Sequence, residues 1–405
     1  MRIVWVKVGG LWPLNSGGRL RSFHIVSELS RRNRLTVLTT HDPSESAHDL
    51  RAQLPHCERV TSVSYSIPKH TTARFAKALL SSWCTPYPVD VWKCRIPELR
   101  RAVSELLATA GPFDVCIVDF LAATLNVPAR LRVPTVFFAH NVEHMIWKRL
   151  ATTAGPSPRR PALELEWRKM RRIEAGACET ATLTVAVSEN DAALLRRIAP
   201  GATVRSIPTG VDTEYFSPGG NDETDATLVF TGAMDWYPNE DAILNFITTT
   251  LPRIRAGEPA VSVLVVGRNP SPRLRQVAAR AGVTVTGTVD DVRPHVARSA
   301  VYVVPLRIGG GTRLKIFEAL AMSKAVVATT IGVEGLPLID GEHFVRADEP
   351  ADFASAVLAL LRDPVRRKSL GAAGRRLVEE FYTWPRVASE FEARCYEART
   401  VRHAD

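Results

Sequence analysis

Between positions 309 and 318 the chain reads Gly309-Gly310-Gly311-Thr312-Arg313-Leu314-Lys315-Ile316-Phe317-Glu318, behind an expected strand that ends at Pro305. Three glycines let a backbone approach a ligand closely. A helix opening behind them aims N–H donors and the positive end of its dipole at an anion. Arg313 and Lys315 add fixed cations of the kind a diphosphate requires. Glu318, about one turn further along, is spaced to accept hydrogen bonds from paired hydroxyls, as carboxylates do on a ribose. The Walker sequence is absent and so is G-x-G-x-x-G, which excludes both of those phosphate fingerprints. The competing reading is a glycine-rich turn with a solvated basic helix start. Glycines, cations and a carboxylate in that order behind a strand favour the ligand site.

A second candidate is His140, in Ala139-His140-Asn141-Val142-Glu143, just past an expected strand over 134–139. Strand ends of α/β sheets are where ligands bind, and histidine changes charge near neutral pH. Glu143 and His144 read either as acceptor-facing groups or as a helix start. Ser188, in Ser188-Glu189-Asn190-Asp191, reads as a helix N-cap rather than a nucleophile, and Trp236 and Tyr237 either line a ligand pocket or pack, packing being the favoured reading. No D-x-D pair and no His/Asp cluster at metal spacing occurs, so no metal is expected.

These groups need elements to position them, and the sequence supplies alternating β-branched runs and amphipathic stretches, the pattern of βαβ units and parallel sheets. Strands are expected over 2–8, 34–40, 114–118, 134–139 and 183–187, then over 227–231, 262–267, 283–286, 301–305 and 325–328. Helices are expected over 240–255, 272–281, 292–298, 312–322, 362–380 and 385–399. Pro and Gly cluster over 206–220 just before a fresh strand. The expected fold is therefore α/β with two doubly wound, Rossmann-like domains: residues 1–207, a linker over 208–224, a second domain over 225–382, and a closing helix over 383–405 that crosses back to the first domain. Two such domains facing each other would place a ligand cleft at the carboxyl ends of both sheets.

The 405 residues are 45% hydrophobic and 23% charged, which excludes disordered and fibrous classes. No apolar run approaches the roughly 20 residues that span a bilayer, and Lys7 interrupts the first apolar stretch, against a signal peptide. A cytoplasmic protein is expected. Six cysteines include no C-x-x-C pair, so they read as reduced apolar fillers. The net charge of +10 is unevenly placed. Residues 1–212 carry 29 Lys+Arg against 18 Asp+Glu, and residues 213–405 carry 23 against 24. The basic half, with Arg74-Phe75-Ala76-Lys77-Ala78-Leu79-Leu80-Ser81-Ser82-Trp83 and Arg168-Lys169-Met170-Arg171-Arg172, suits peripheral contact with an anionic membrane face. Solvated helix faces fit the same residues equally well.

The segment 305–336, with the motif above and Ile331-Gly332-Val333-Glu334-Gly335-Leu336, resembles the donor site of family 4 glycosyltransferases, retaining enzymes of GT-B architecture. Ile207-Pro208-Thr209-Gly210-Val211-Asp212 resembles the family's interdomain segment, with Thr209 where Asn is usual. Phe230-Thr231-Gly232-Ala233-Met234-Asp235-Trp236-Tyr237-Pro238-Asn239 resembles the opening of its second domain, and Ala139-His140-Asn141 the strand end carrying a donor-site histidine. The resemblance implies transfer of a sugar from a nucleoside-diphosphate sugar to an acceptor hydroxyl, with retention, in polysaccharide, glycolipid or glycoconjugate synthesis. His140, Arg313 and Lys315 would be catalytic. Gly17, Gly18, Gly232, Gly309, Gly310, Gly311, Thr312 and Glu318 would bind the donor. No cofactor or metal would be required. The acceptor would be a saccharide, a lipid-linked sugar or a small molecule, and no nucleic acid is expected. Two departures stand out. Gly310 replaces the first of two glutamates spaced eight apart, and Ala233 and Pro238-Asn239 stand in the stretch where many members carry an Arg and a Lys. The rival readings are a nucleotide-sugar 2-epimerase and a non-catalytic nucleotide-sugar-binding protein.

Overall fold

The computed structural model describes residues 1–401 other than 15, 70, 71, 129, 130, 154, 220–222, 225 and 309–313. The chain forms two compact units, Met1–Thr209 with Trp384–Asp405, and Gly210–Thr383.

The sheet of the first unit comprises β1 (Arg2–Lys7), β2 (Arg34–His41), β3 (Arg59–Ser64), β4 (Val115–Asp119), β5 (Thr135–Ala139), β6 (Leu183–Ala186) and β7 (Val204–Ser206), all parallel, in the order β3-β2-β1-β4-β5-β6-β7. The central strands are near-continuous apolar runs buried on both faces, as a parallel sheet under helices requires. The second unit repeats the plan with β8 (Thr227–Thr231), β9 (Ser262–Val266), β10 (Thr284–Gly287), β11 (Val301–Val304), β12 (Ala325–Ala328) and β13 (Val345–Arg346), in the order β10-β9-β8-β11-β12-β13. Strand order reverses beside β1 in one sheet and beside β8 in the other, the switch points where such sheets bind ligands.

The last helix, Trp384–Val401, belongs to the first unit. Trp384, Val387, Phe391 and Cys395 enter the core that Trp5 and Phe138 share, and Trp384 stacks on His24 at 4.8 Å. Four of the six cysteines are buried, and burial pushes the Cys94, Cys116 and Cys178 thiols up to about 12, away from reactivity.

The structure departs from the sequence reading at the sheet edges and at two helices. β3, β7 and β13 were not expected. They are edge strands, only partly buried, and lack the apolar run that marks an interior strand. The single helix expected over 240–255 is two helices, Tyr237–Asn245 and Leu251–Gly257, joined by a π-helical turn Phe246–Thr250. Pro252 supplies no N–H to the preceding turn, so the ladder widens there. A helix Pro350–Arg362 also precedes the one that opens at Pro364.

Candidate functional site

In the second unit the helix Leu314–Ala321 follows β11 and carries Lys315 in its first turn and Glu318 one turn later. The Lys315 ammonium donates to Asn239 Oδ1 at 2.8 Å and lies 4.1 Å from the centre of the Phe230 ring. Asn239 is itself fixed, because its Nδ2 donates to Ala233 O at 2.8 Å. Gly232, at the end of β8, leaves the room for this arrangement. A Cβ there would stand 2.7 Å from Lys315 Nζ and 2.8 Å from Asn239 Nδ2. An amide and an aromatic face orient the ammonium.

Glu318 is partly buried. Burial pushes its carboxyl up to about 7, against the pull of Lys315. Burial and the Glu318 charge together hold the Tyr302 hydroxyl, which bonds Thr231, in its protonated form. Gly309, Gly310, Gly311, Thr312 and Arg313 lie outside the described residues. Trp236 and Tyr237 do not pack as expected and are 48% and 63% exposed. The helix that begins there buries Pro238, Asn239, Ala242 and Ile243 and turns its opening residues outward.

In the first unit the register of the strands gathers the charges. β1 pairs with β4 so that Lys7 lies opposite Asp119, and β4 pairs with β5 so that Asp119 lies opposite Phe138, two residues before His140. Lys7, Asp119 and His140 are all at most 3% exposed. Asp119 Oδ2 is 3.2 Å from Lys7 Nζ and accepts from Trp5 Nε1 at 2.9 Å, while Oδ1 is 2.7 Å from His140 Nε2. Arg21 Nη1 is 3.1 Å from His140 Nδ1. A guanidinium only donates, so Nδ1 is the acceptor and the ring proton sits on Nε2, donated to Asp119. Burial takes the His140 pKa down to about 3 despite the attraction of Asp119, which makes it a neutral imidazole. Burial alone would raise Asp119, but Lys7 and His140 outweigh it and hold the carboxyl well below its ordinary range.

Phe120 stacks on His140 with ring centres 3.8 Å apart, and Lys7 Nζ lies 4.1 Å from the Phe120 ring centre. Gly18 makes way for that ring, since a Cβ there would stand 2.6 Å from Phe120 Cζ. The structure thus brings Gly18 and His140 together through Phe120, whereas Gly17 is an exposed residue in the first turn of the helix Gly17–Ser30. Arg21 Nη2 also donates to Thr209 Oγ1 at 2.6 Å, clasping the last residue of this stretch of the first unit. Glu143 and His144 open the helix Glu143–Thr153. Glu174, fully buried, accepts from both of their backbone N–H groups and from His144 Nδ1. Ser188 caps its helix by accepting from Asp191 N at 3.1 Å. Lys7, Asp119 and Arg21 were not read as site residues from sequence, and Asn239 stood out only as a departure from the family pattern. The available signal was a charged residue closing an apolar strand, which Lys7 and Asp119 both show.

Two switch-point sheets, one ending in a fixed ammonium with a carboxyl one turn away, define the two-domain GT-B class. The Glycosyltransferase Family 4 model matches residues 16–215, and the Glycosyl transferases group 1 model matches residues 225–363. The chain belongs to the family 4 glycosyltransferases. It is 33% identical over 209 residues to a phosphatidyl-myo-inositol mannosyltransferase of Mycobacterium leprae, covering 49% of this chain and 54% of that one. It is 27% identical over 274 residues to a GDP-mannose-dependent alpha-(1-6)-phosphatidylinositol monomannoside mannosyltransferase of Mycobacterium tuberculosis, covering 60% and 67%. The match spans about half the length of the first of these relatives. Among solved structures, a sucrose-phosphate synthase from Thermosynechococcus elongatus superposes with a TM-score of 0.73 at 16% identity over the whole of both chains. The Anabaena protein HepE in complex with UDP superposes with a TM-score of 0.66 at 14% identity over 98% of this chain and all of that one.

Two predictions follow from these geometries. Asp119→Asn leaves the Lys7 ammonium buried without a counter-charge and is expected to cost about 3–5 kcal/mol in urea unfolding. Adding Lys7→Met should recover part of that loss, and an unchanged midpoint in the single variant would refute the pairing. Glu318 accepts hydroxyls best as a carboxylate, and it holds a proton below about 7. Nucleoside-diphosphate affinity, measured by calorimetry, should therefore strengthen from about pH 6 to about pH 8 in the parent relative to Glu318→Gln. A flat ratio would take Glu318 away from the ligand.

Proposed function

We propose that the protein is a glycosyltransferase that moves a hexosyl group from a nucleoside-diphosphate sugar to an acceptor hydroxyl with retention at the anomeric carbon. The observation that carries this reading is the Lys315 ammonium, fixed by Asn239 over the Phe230 ring at a helix start with Glu318 one turn behind. In the reaction the bond from the anomeric carbon to the diphosphate oxygen breaks and the acceptor oxygen forms a new bond to that carbon. The acceptor proton leaves with the diphosphate. Charge builds on the departing phosphate, and a preorganised ammonium with helix N–H groups stabilises it. In this reading Glu318 takes the ribose hydroxyls, Gly232 keeps Lys315 in place, and Arg313 with Gly309, Gly310, Gly311 and Thr312 completes the diphosphate cradle. His140, neutral and bonded at both ring nitrogens, orders the strand end that meets the sugar.

The activities of the mannosyltransferase relatives support GDP-mannose as donor and a lipid-linked polyol as acceptor. Side-chain cations take the part of a metal in this scheme. No helix among the described residues is long and apolar enough to cross a membrane. Membrane contact instead rests on the helices Ala73–Trp83 and Arg160–Thr180. Leu80 and Trp83 are 62% and 44% exposed beside the exposed Arg74 and Lys77, and Lys169 Nζ donates to Ser82 O at 2.9 Å, joining the basic face of the second helix to the first.

Nucleoside-diphosphate release from UDP-, GDP- and dTDP-sugars, with a lipid extract as acceptor source, tests the chemistry. Release from GDP-mannose is expected to survive EDTA and to fall about 100-fold or more in Lys315→Ala, as for removal of one transition-state donor. Loss in EDTA would overturn the metal-independent scheme. Isomerisation of the donor without acceptor would identify an epimerase, and binding without turnover a non-catalytic protein. Flotation with anionic but not neutral vesicles, abolished by Leu80→Glu with Trp83→Ala, tests the membrane reading. Equal behaviour on both vesicle types would refute it.

A further inference from the structure

The helix Tyr237–Asn245 presents two different faces. Its inner face buries Pro238, Asn239, Ala242 and Ile243, and Asn239 there holds Lys315. Its outer face carries Tyr237, Asp241 and Leu244 at helical spacing, and the π-helical turn behind it adds Thr248. Between this outer face and the helix Pro272–Arg280 a groove of about 320 Å³ opens, at the small end of the range for ligand sites. Bonds between elements fix its walls. Arg307, just past β11, forks onto Asp241, with Nε to Oδ2 at 3.2 Å and Nη2 to Oδ1 at 2.9 Å. Ser271 caps the helix Pro272–Arg280 by accepting from Leu274 N at 3.1 Å, and it donates its hydroxyl proton to Glu240 Oε1. Leu244 and Val277, one from each helix, supply the apolar lining.

Several groups in the groove are left to meet a ligand. The Tyr237 ring is 63% exposed, and no ring or cation stacks on it among the described residues. Arg273 is exposed and makes no hydrogen bond or ion pair with a described residue. The Asn245 side-chain amide offers two donors and an acceptor. Glu240 Oε2 is an acceptor, and so is the Thr248 oxygen, whose proton goes to Leu244 O at 2.9 Å. Charges of both signs line the walls, Arg273 and Arg307 with Glu240 and Asp241, so a polyanion such as a nucleoside diphosphate finds no net attraction. A nucleobase has two flat faces, and a single ring would leave the second in water. A pyranose has one face of C–H groups and a belt of hydroxyls that both donate and accept. One exposed phenol ring with an electron-rich face, flanked by a guanidinium, an amide and a carboxyl group, matches that pattern.

We propose that this groove is a second carbohydrate site, which holds a neutral pyranoside with its C–H face on the Tyr237 ring and its hydroxyls bonded to Arg273, Asn245 and Glu240. The helix separates the groove from Lys315, so a saccharide and a nucleotide are bound at the same time. Ligand-observed NMR titration of the full chain in saturating GDP, with the methyl pyranosides of mannose, glucose and galactose, tests it. At least one pyranoside is expected to bind with a Kd of order 1 mM. Tyr237→Ala should weaken that binding by about tenfold, the size of losing one aromatic anchor, and Tyr237→Phe should keep most of it. Arg273→Met should weaken it by about fivefold, as for one lost hydrogen bond. GDP affinity should stay unchanged in all three variants, which also shows that they fold. No binding by any of the three pyranosides, binding insensitive to Tyr237→Ala and Arg273→Met, or an equal loss in Tyr237→Phe would each overturn the proposal. Binding that GDP abolishes would place the sugar at Lys315 instead, and displacement by equimolar adenosine would make the groove a nucleobase site; either result overturns it too. A Tyr237-dependent pyranoside site in a protein that binds no GDP would uphold the groove and count against the glycosyltransferase reading.

Discussion

A carboxylate stripped of water organises the first unit. Asp119 is fully buried, and removing such an ion from solvent costs several kcal/mol unless partners replace the lost hydration. Lys7, Trp5 and His140 do so from two neighbouring strands. That requirement constrains the surroundings in turn. β1 and β5 must flank β4 in one register, Phe120 must take a φ of +71° to lay its ring on His140, and residue 18 must lack a side chain. Arg21 then carries the constraint outward, since the guanidinium that sets the His140 tautomer also grips Thr209. A chain of this kind has few alternative arrangements.

The second unit treats its cation in the opposite manner. Lys7 is neutralised by a carboxylate, and burial also lowers its pKa. Lys315 meets an amide oxygen and a ring face and also pulls on the half-buried Glu318 carboxyl. Asn239 has a physical role in this, because its amide oxygen holds the ammonium supplied by the neighbouring helix.

Charge is sorted again across the surface of the first unit. The helix Arg160–Thr180 turns Arg168, Arg171 and Arg172 to the surface, while Lys7 and Arg21 are buried among their partners.

The sequence by itself determined the class of fold, because interior strands of a parallel sheet must be continuous apolar runs and their alternation with helices leaves few topologies. It also marked the helix that carries Lys315 and Glu318, since glycines, cations and a carboxylate in fixed order are local chemistry. It marked His140 as a strand-end residue but not what surrounds it. Only the tertiary structure decided that Lys7 and Asp119 are partners, because residues 112 positions apart meet through strand register, which no local pattern encodes. The same holds for the clasp of Arg21 on Thr209, for the hold of Asn239 on Lys315, and for the short edge strands. Their burial comes from neighbours distant in the chain, so their own residues carry no periodic mark of it.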